Sequence, residues 1–423
     1  MPNRQKSAES VATHTREEVR ARWGFQPFVD AAVEEGFFFD LLTTQSPVGP
    51  TIQYGEQTMV NFASINILNT HQEADVMAHF HQAADQYGLV TGGSRVTQGV
   101  SQAHMGMEQE LCRITGKERS LSFASGLLAN IGFVNAMSSQ FNFSPTCNID
   151  NRDTIFVLDR DSHWSLWKAV SHLKFGKQVF VFRHNDPKDL DKVLHRLEGK
   201  ASKIVVIFES VYSADGSIAP MGKLLDVCEA HEALSYVDDA NGFMIYGPEH
   251  RPFAKEYAEM KRATFIMVSF SKAIGMEGGA ISGPDKFIHG FEVLSGTSLF
   301  TAAIQPPTAS TIHYVMRKLD QNPAIMDEYL RRALDLRNAL AEMGCQLNET
   351  PSYITSVFIG KDEKAARIWQ EFCEMGFSVP MFRYPAVKPD QALIRIMLNS
   401  HHTEEQIQGL LKAMRMLKEK YEF

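Results

Sequence analysis

Short apolar runs rich in β-branched residues alternate with amphipathic segments along the middle of the chain. The runs suit β-strands, and the segments between them, whose apolar residues recur every three to four positions, suit α-helices. Strand, helix and strand at this spacing predict βαβ units and a mostly parallel sheet. The predicted strands are Thr154–Leu158, Gln178–Phe182, Lys203–Phe208, Leu234–Val237 and Thr264–Val268, and the helices between them include Leu190–Leu197 and Met221–His231.

A different pattern begins near residue 296. A long helical stretch, Pro323–Met343, is followed by two predicted strands, Ile354–Ile359 and Leu393–Leu398. The chain then ends in an amphipathic helix, at whose start Thr403 and Gln406 can form a capping box. This order predicts a smaller α+β region after the parallel sheet.

The chain has 423 residues, and a single hydrophobic core rarely stabilises a chain of that length. We therefore expect one large domain with smaller attachments. We predict three parts: an N-terminal extension at 1–60, a large domain at 61–295 and a small C-terminal domain at 296–423. Within the extension, the sequence predicts a charged helix near Glu17–Arg22, followed by the aromatic stretch Phe37-Phe38-Phe39.

Composition and charge argue against several classes of protein. Hydrophobic residues make up 44% of the chain and charged residues 22%, as in soluble globular proteins, and the net charge of -8 argues against nucleic acid or an anionic membrane as a partner. No apolar stretch has the length of a membrane span, and Met1–Arg22 lacks the apolar middle of a signal peptide, so we expect a cytoplasmic protein. The five cysteines and the paired histidines lack metal-ligand spacing, so neither a metal site nor a disulfide framework is predicted.

A lysine follows one of the predicted strands, at the edge where parallel sheets bind ligands. Lys272 lies among small residues, and a lysine deprived of water loses its charge and becomes a nucleophile that can form a Schiff base. The hydroxyls of Ser269 and Ser271 can donate hydrogen bonds to an anion. Alone, such a lysine is more often a solvated surface residue. Three glycines follow it and let the backbone approach a planar ligand: Gly275, Gly278 and Gly279.

Three other strand ends carry related chemistry. Asp238, if ionised, can keep a pyridine nitrogen protonated, which makes the ring an electron sink, although the pair Asp238-Asp239 can also cap a helix or form a turn. Phe123–Asn130 places small residues at a helix start, which suits a phosphate. His163 can stack on an aromatic ring or be a structural histidine. The order of phosphate turn, stacking ring, carboxylate and lysine on successive strand ends is the informative feature.

The sequence resembles the α-oxoamine synthases, a family of fold-type I enzymes that use pyridoxal phosphate, from about Asn61 to Leu417. The resemblance implies an α/β fold of that type, with a mostly parallel sheet in a large domain and a smaller α+β C-terminal domain. Two stretches, Ser165–Trp167 and Ile394–Asn399, are most similar to the branch that makes α-aminoketone quorum-sensing signals. The matching segments are Thr91-Gly-Gly-Ser-Arg95 with His104 and Glu108, Ala124–Asn130, Asp161–Ser165, Glu209–Gly216, Val237–Ala240, Ser269–Lys272, and Ile394–Ile396 with His402.

The resemblance also implies roles for individual residues. Lys272 would carry pyridoxal phosphate as a Schiff base and act as general base, with His163 stacked on the ring and Asp238 paired with the pyridine nitrogen. Arg395 would hold the carboxylate of the amino acid. The remaining residues expected to contact the cofactor are Ser125, Gly126, Leu127 and Ser269 at the phosphate, Ser213 and Asn241 near the ring oxygen, and Thr301 from a neighbouring subunit.

The implied reaction is a decarboxylative condensation of an amino acid with an acyl thioester, either acyl-CoA or an acyl-carrier protein, in a homodimer with shared active sites. The products would be an α-aminoketone, CO2 and free thiol. Another fold-type I activity, such as an aminotransferase or a decarboxylase, and a non-catalytic binding module are the alternatives. Three departures from the family leave the substrates open: Asn241 replaces a histidine, Ile65-Asn66-Ile67-Leu68 replaces Asn-Asp-Tyr-Leu, and Phe300-Thr301-Ala302 replaces Phe-Ser-Thr.

Overall fold

The structure is a computed structural model that describes residues 16–34 and 43–423. The predicted charged helix near Glu17–Arg22 is present as Arg16–Ala21, whereas the predicted aromatic stretch at 37–39 lies outside the described residues. Among the described helices, none combines the length and the apolar character that crossing a membrane requires. All five cysteines are unpaired.

Fifteen strands and fifteen α-helices make up the described chain. The strands are β1 (Thr51–Tyr54), β2 (Gln57–Asn61), β3 (Arg119–Phe123), β4 (Gln140–Ser144), β5 (Cys147–Asp150), β6 (Ile155–Asp159), β7 (Val179–Phe182), β8 (Ile204–Glu209), β9 (Leu234–Asp238), β10 (Phe265–Ser269), β11 (Gly279–Gly283), β12 (Ile354–Gly360), β13 (Phe377–Ser378), β14 (Met381–Phe382) and β15 (Ala392–Met397). The helices are α1 (Arg16–Ala21), α2 (Phe25–Glu34), α3 (Ala74–Tyr87), α4 (Gln102–Thr115), α5 (Gly126–Met137), α6 (Trp164–Val170), α7 (Pro187–Leu197), α8 (Met221–Ala230), α9 (Ala254–Ala258), α10 (Asp285–Leu294), α11 (Gly296–Leu299), α12 (Pro306–Gln321), α13 (Pro323–Glu342), α14 (Asp362–Glu374) and α15 (Glu404–Tyr421).

A seven-stranded sheet with the order β3-β11-β10-β9-β8-β6-β7 is the centre of the fold. Its strands pair in parallel from β10 to β7, and only β11 runs antiparallel to its neighbours β10 and β3. All five strands predicted from the hydrophobic pattern are confirmed to within one residue at each end. Helix α7 begins three residues earlier than predicted, because Asp186 caps it and Pro187 suits its first turn.

Helices cover both faces of this sheet. Along β8, Val205 and Ile207 enter one hydrophobic core, whereas Val206 and Phe208 enter the other. This alternation is the two-residue period of a strand, and both faces are apolar because each face packs against helices. Ligand sites in such a sheet are therefore confined to its edges and to the ends of its strands.

The C-terminal region has its own antiparallel sheet, β12-β15-β14, which carries Arg395. The final helix α15 begins with the predicted capping box of Thr403 and Gln406, which is confirmed. A second small sheet, β1-β2-β13, pairs residues 51–61 with Phe377–Ser378. Part of the N-terminal extension thus joins the C-terminal region, while the domain boundaries at 60 and 295 stay predictions.

The hairpin of β4 and β5 has no counterpart in the predicted elements. It follows α5, pairs only with itself, and its strand residues are exposed except for the half-buried Ser144. Its sequence has neither a helical repeat nor a clean alternation of apolar and polar residues, which are the patterns that identify an element.

Candidate active site

The candidate site lies where the carboxyl ends of β6, β8, β9 and β10 meet. Glu209 and Asp238 are the last residues of β8 and β9, and Lys272 comes three residues after the end of β10. Burial lowers the pKa of Lys272 to about 8, and the positive charge of Arg395 contributes to this shift. The carboxylates of Asp238 and Glu209 oppose it. The structure therefore brings these four side chains within electrostatic reach of one another.

A strand-to-helix turn forms one end of the site. Ser125 is the N-cap of α5, and its Oγ accepts a hydrogen bond of 3.2 Å from the backbone N–H of Leu128. The N–H groups of Gly126 and Leu127 lie in the first turn, where a helix offers them no acceptor, at the positive end of the helix dipole. The turn predicted to bind phosphate is thus the N-terminus of a helix, which suits an anion.

The wall facing this turn comes from the segment between β10 and β11. A Cβ atom on Gly126 would lie 3.5 Å from the Cβ of Ser269, and the Ser269 hydroxyl lies 2.9 Å from that of Ser271. A Cβ atom on Gly279 would lie only 2.8 Å from the Cα of Gly126. Glycine at 279 therefore lets the backbone of β11 pack closely against the turn. The sequence predicted that Gly279 lets the backbone approach a planar ligand, but the close contact in the structure is with the turn.

Asp238 is 3% exposed and is held at both carboxylate oxygens. Its Oδ2 accepts from the side-chain amide of Asn130 at 3.0 Å, and its Oδ1 accepts from the backbone N–H of Ala240 at 3.0 Å. Burial raises the pKa of Asp238, while these hydrogen bonds and the charges of His163 and Lys272 oppose the rise. The carboxylate is thus fixed in orientation, within electrostatic reach of the Lys272 amine.

His163 is the N-cap of α6 and is connected to Asp238 through two polar side chains. Its Nδ1 lies 2.8 Å from the Oγ of Ser165, and that Oγ accepts at 2.9 Å from the same Asn130 amide that bonds Asp238. His163 is exposed at the surface, yet part of its ring is shielded from solvent. This partial desolvation lowers the pKa of His163. The nearby positive charges lower this pKa as well, and Asp238 raises it.

Arg395 lies on β15 and reaches the site from the C-terminal region. Its Nη1 donates to the backbone carbonyl of Ser213 at 2.8 Å, and its Cζ lies 4.7 Å from the centre of the Phe382 ring. Its Nε is buried and has no hydrogen-bond partner among the described residues. Burial lowers the pKa of Arg395. A buried, unpaired N–H donor on a cation suits a carboxylate ligand.

Two predicted residues stand apart from this cluster. Asn241 is buried and donates from Nδ2 to the carbonyl of Val211 at 3.2 Å, which fixes its amide near the loop that carries Ser213. Thr301 follows α11, and none of the described contacts around Lys272 involves it. Its neighbour Phe300 is 85% exposed. A reach of Thr301 into the site of another subunit stays a prediction.

Glu209 begins the family-matching segment Glu209–Gly216, but no local pattern around it indicates a role. Its carboxylate accepts a hydrogen bond from the backbone N–H of His163, and burial together with Asp238 raises its pKa far above the ordinary value. Asn130 and Ser165 likewise lie in the family-matching segments Ala124–Asn130 and Asp161–Ser165, and no local pattern indicates a role for either. Their function is visible only when strands β6, β8 and β9 are placed side by side.

The donors and acceptors of the site fit pyridoxal phosphate. Helix N–H groups and the hydroxyl of Ser269 at one end suit a phosphate, and the buried carboxylate of Asp238 suits a protonated pyridine nitrogen. The charges of that carboxylate and of the Lys272 amine affect each other's pKa. In residues 16–34 and 43–423, no group of three or more His, Cys, Asp and Glu side chains is arranged to hold a metal ion.

Residues 57–414 match the aminotransferase class I and II family. A 5-aminolevulinate synthase from Cereibacter sphaeroides is 30% identical over 354 residues, which are 84% of this chain and 84% of that protein. The chain belongs to this family, as an α-oxoamine synthase. The resemblance inferred from seven sequence segments is thereby confirmed, and the protein is a PLP-dependent acyltransferase.

Two further comparisons agree with this assignment. A serine palmitoyltransferase from Sphingomonas paucimobilis is 29% identical over 388 residues, which are 91% of this chain and 88% of that protein. The structure of a variant of the S. paucimobilis enzyme, solved with a bound PLP–myriocin aldimine, matches with a TM-score of 0.84 and 26% identity. That match covers 96% of this chain and 99% of the other, and it confirms the fold-type I architecture.

The low pKa of Lys272 predicts how the cofactor-free protein takes up PLP. A lysine with a pKa of about 8 is largely neutral above that pH, so the rate of covalent uptake should rise up to pH about 8 and then level off. With an ordinary lysine, whose pKa is ~10.4, the rate would continue to rise up to about that pH. Stopped-flow absorbance across pH 6–11 measures this, with Nα-acetyl-lysine as the control for the ionisation of PLP itself. A rate that still rises steeply near pH 10 would contradict the prediction.

Proposed function

We propose that the protein condenses an amino acid with an acyl thioester, and that CO2 and the free thiol leave as an α-aminoketone forms. The geometry that supports an amino-acid substrate is the buried guanidinium of Arg395, whose Nε has no partner among the described residues and whose charge acts on Lys272. Relatives named as 5-aminolevulinate synthase and serine palmitoyltransferase support condensation as the reaction.

The residues of the site divide into those that hold the cofactor and those that handle the substrate. Bound PLP supplies an electron-withdrawing ring that stabilises negative charge on the α-carbon of an amino acid. We assign its phosphate to Ser269 and the turn at Ser125–Leu127, and its ring nitrogen to Asp238. His163 would cover one face of the ring, and Ser213 and Asn241 are the residues that we assign to the ring oxygen.

Lys272 has two roles in this proposal. Its amine would hold the cofactor covalently, and as a free neutral base it would accept the α-proton of a bound amino acid. A pKa of about 8 supports both roles, because near neutral pH a much larger fraction of such an amine is neutral than of an ordinary lysine with a pKa of ~10.4, and it is still basic enough to accept a proton. Arg395 meanwhile holds the carboxylate of the amino acid near its buried Nε.

A homodimer with shared sites is part of the proposal. The apolar side chains of Leu127 and Phe300 are 44% and 85% exposed, and Leu127 lies in the turn assigned to the phosphate. Exposed apolar surface at a catalytic edge suits contact with a second copy of the chain, to which Thr301 would contribute its hydroxyl. The acyl donor is an acyl-CoA or an acyl-carrier protein.

An aminotransferase activity is the second candidate, because the family that matches residues 57–414 is named for it. A visible-absorbance titration of the holoenzyme with each of the twenty amino acids, with and without an acyl-CoA mixture, separates the two. Condensation requires that one amino acid changes the absorbance band of the cofactor, and that this band changes again when thioester is added. A response to amino acids with accumulation of a keto acid would instead establish transamination.

The Arg395→Ala variant is expected to bind amino acid about 10- to 100-fold more weakly, the effect of losing hydrogen bonds to a charged group. Its affinity for PLP should not change, because Arg395 contacts the Ser213 carbonyl and Phe382 but no residue assigned to the phosphate. Spectroscopic titration measures both affinities. Arg331→Ala, at an exposed position on α13, is the matched control. Equal amino-acid affinity in the Arg395→Ala and Arg331→Ala variants would exclude the assigned role.

A further inference from the structure

His184 lies two residues after β7 and has no role in the proposed function. It connects two separate segments of the chain. Its Nδ1 lies 3.0 Å from the Oδ1 of Asp159, and its Nε2 lies 2.9 Å from the Oγ of Ser217. Its ring also meets the ring of Tyr212 edge-on, with 4.3 Å between the centroids. One imidazole thus contacts the end of β6 on one side and the segment after β8 on the other.

The Asp159 side leads to the ring-covering histidine. Asp159 is fully buried at the end of β6, and its carboxylate also accepts from the backbone N–H groups of Asp161 and Asn185, each at 2.9 Å. The carbonyl of Asp159 accepts from Ser162 at 3.2 Å. His163 is the next residue, so the position of Asp159 determines where the tight turn before α6 presents the His163 ring.

The Ser217 side leads to the substrate arginine. Residues 212–217 form a closed loop, in which the N–H of Tyr212 donates to the carbonyl of Ser217 at 3.0 Å and the N–H of Gly216 donates to the carbonyl of Tyr212 at 2.9 Å. Within this loop, the carbonyl of Ser213 is the acceptor for the Arg395 guanidinium. A shift of the loop would therefore move the group that orients Arg395.

The charge of His184 suits both contacts. Burial opposes a positive charge, but the carboxylates of Asp159, Asp215 and Asp161 outweigh burial and hold the pKa of His184 above its ordinary value. A protonated imidazole donates from both ring nitrogens. The two acceptors here are a buried carboxylate and a hydroxyl oxygen, and the hydroxyl in turn donates to Asp215 at 2.9 Å.

We propose that His184 is a positioning residue that holds the His163 turn and the 212–217 loop at a fixed separation. In this way it sets the distance between the ring-covering face of the site and the guanidinium of Arg395. The inference rests on the proposed function, because that function gives His163 and Arg395 their roles. His184 itself touches neither of them and takes no part in proton transfer.

The His184→Phe variant tests this proposal, because phenylalanine keeps a ring against Tyr212 and removes both hydrogen bonds. In the cofactor-free protein, hydrogen–deuterium exchange of the amides at 212–217 should become at least about tenfold faster, as expected when hydrogen bonds to charged groups are lost. In the holoenzyme, the induced circular dichroism of bound PLP should change. Affinity for the tightest-binding of the twenty amino acids should fall about tenfold. His195→Phe, at an exposed histidine on α7, is the matched control.

A purely structural role for His184 predicts a different result. It would lower the melting temperature but leave the exchange at 212–217, the dichroism and the amino-acid affinity as in wild type, and this outcome would overturn the proposal. If His184→Phe does not fold, His184→Asn decides, because an asparagine amide can donate to Asp159 from the place of Nδ1 but is too short to reach Ser217: faster exchange supports the proposal, and unchanged exchange overturns it. Neither the exchange nor the dichroism involves an acyl thioester, so a wild-type enzyme that releases no thiol would refute the proposed function alone.

Discussion

Replacing Lys272 by alanine is expected to abolish covalent attachment of the cofactor and to slow condensation by about 10²- to 10⁴-fold or more, the range for losing a general base. Its amine is the one to which we assign both the attachment of PLP and the removal of the α-proton. The measurement is borohydride reduction of the holoenzyme, followed by mass spectrometry of its peptides. In wild type the PLP mass should be found on the peptide that contains Lys272.

The control for this experiment is Lys286→Ala, at a lysine whose side chain is 93% exposed on α10. This variant should keep the reducible adduct and the activity of wild type, because the Lys286 side chain lies in solvent on α10 and contacts none of the residues assigned to the site. A PLP mass fixed by borohydride on another peptide of the Lys272→Ala variant, or full activity in that variant, would contradict the assignment.

The Asp238→Asn variant is expected to lose about 10²- to 10⁴-fold in turnover, which corresponds to the ~3–5 kcal/mol lost when one partner of a buried charged pair is removed. Asparagine keeps the shape of the side chain but cannot keep a pyridine nitrogen protonated. Either the Asn130 amide or the backbone N–H of Ala240 would then face an NH2 group where a carboxylate oxygen now accepts. Turnover and the visible spectrum of the bound cofactor, both at saturating PLP, measure the effect.

Asp239 provides a matched control for Asp238. It is also buried and directly follows β9, but it bonds to Tyr257 and Ser210, and burial raises its pKa to about 7. Asp239→Asn should therefore change stability more than turnover. Equal losses of turnover in the two variants would show that burial of a carboxylate, rather than a contact between Asp238 and the ring nitrogen, explains the result.

The local features of the sequence predicted the sheet and the four strand ends well. Five buried strands were located to within one residue, because a run of apolar β-branched residues is recognisable without its neighbours in space. The strand-to-helix turn at Ser125 and Gly126 was recognisable for the same reason, since small residues and a capping serine lie next to one another in the chain. The family resemblance then supplied the cofactor, which the comparisons confirm.

Features that depend on distant parts of the chain were not predicted. The amide of Asn130 bonds Asp238 across 108 positions, and His184 contacts Ser217 across 33. The small sheet joins β2 to β13, two segments separated by most of the chain. No local pattern encodes such pairings, because each partner is an ordinary polar or apolar residue in its own surroundings. The subunit contact of Thr301 and the cytoplasmic location stay predictions.

The central claim is that one catalytic cycle couples the loss of an amino-acid carboxyl group to the release of a thiol. The most direct test supplies the holoenzyme with a carboxyl-labelled amino acid and an acyl thioester, and counts labelled CO2 and free thiol together. We expect the two to appear in equal amounts, and neither to appear when the other substrate is omitted. Labelled CO2 without thiol, or a labelled keto acid in place of CO2, would contradict the account.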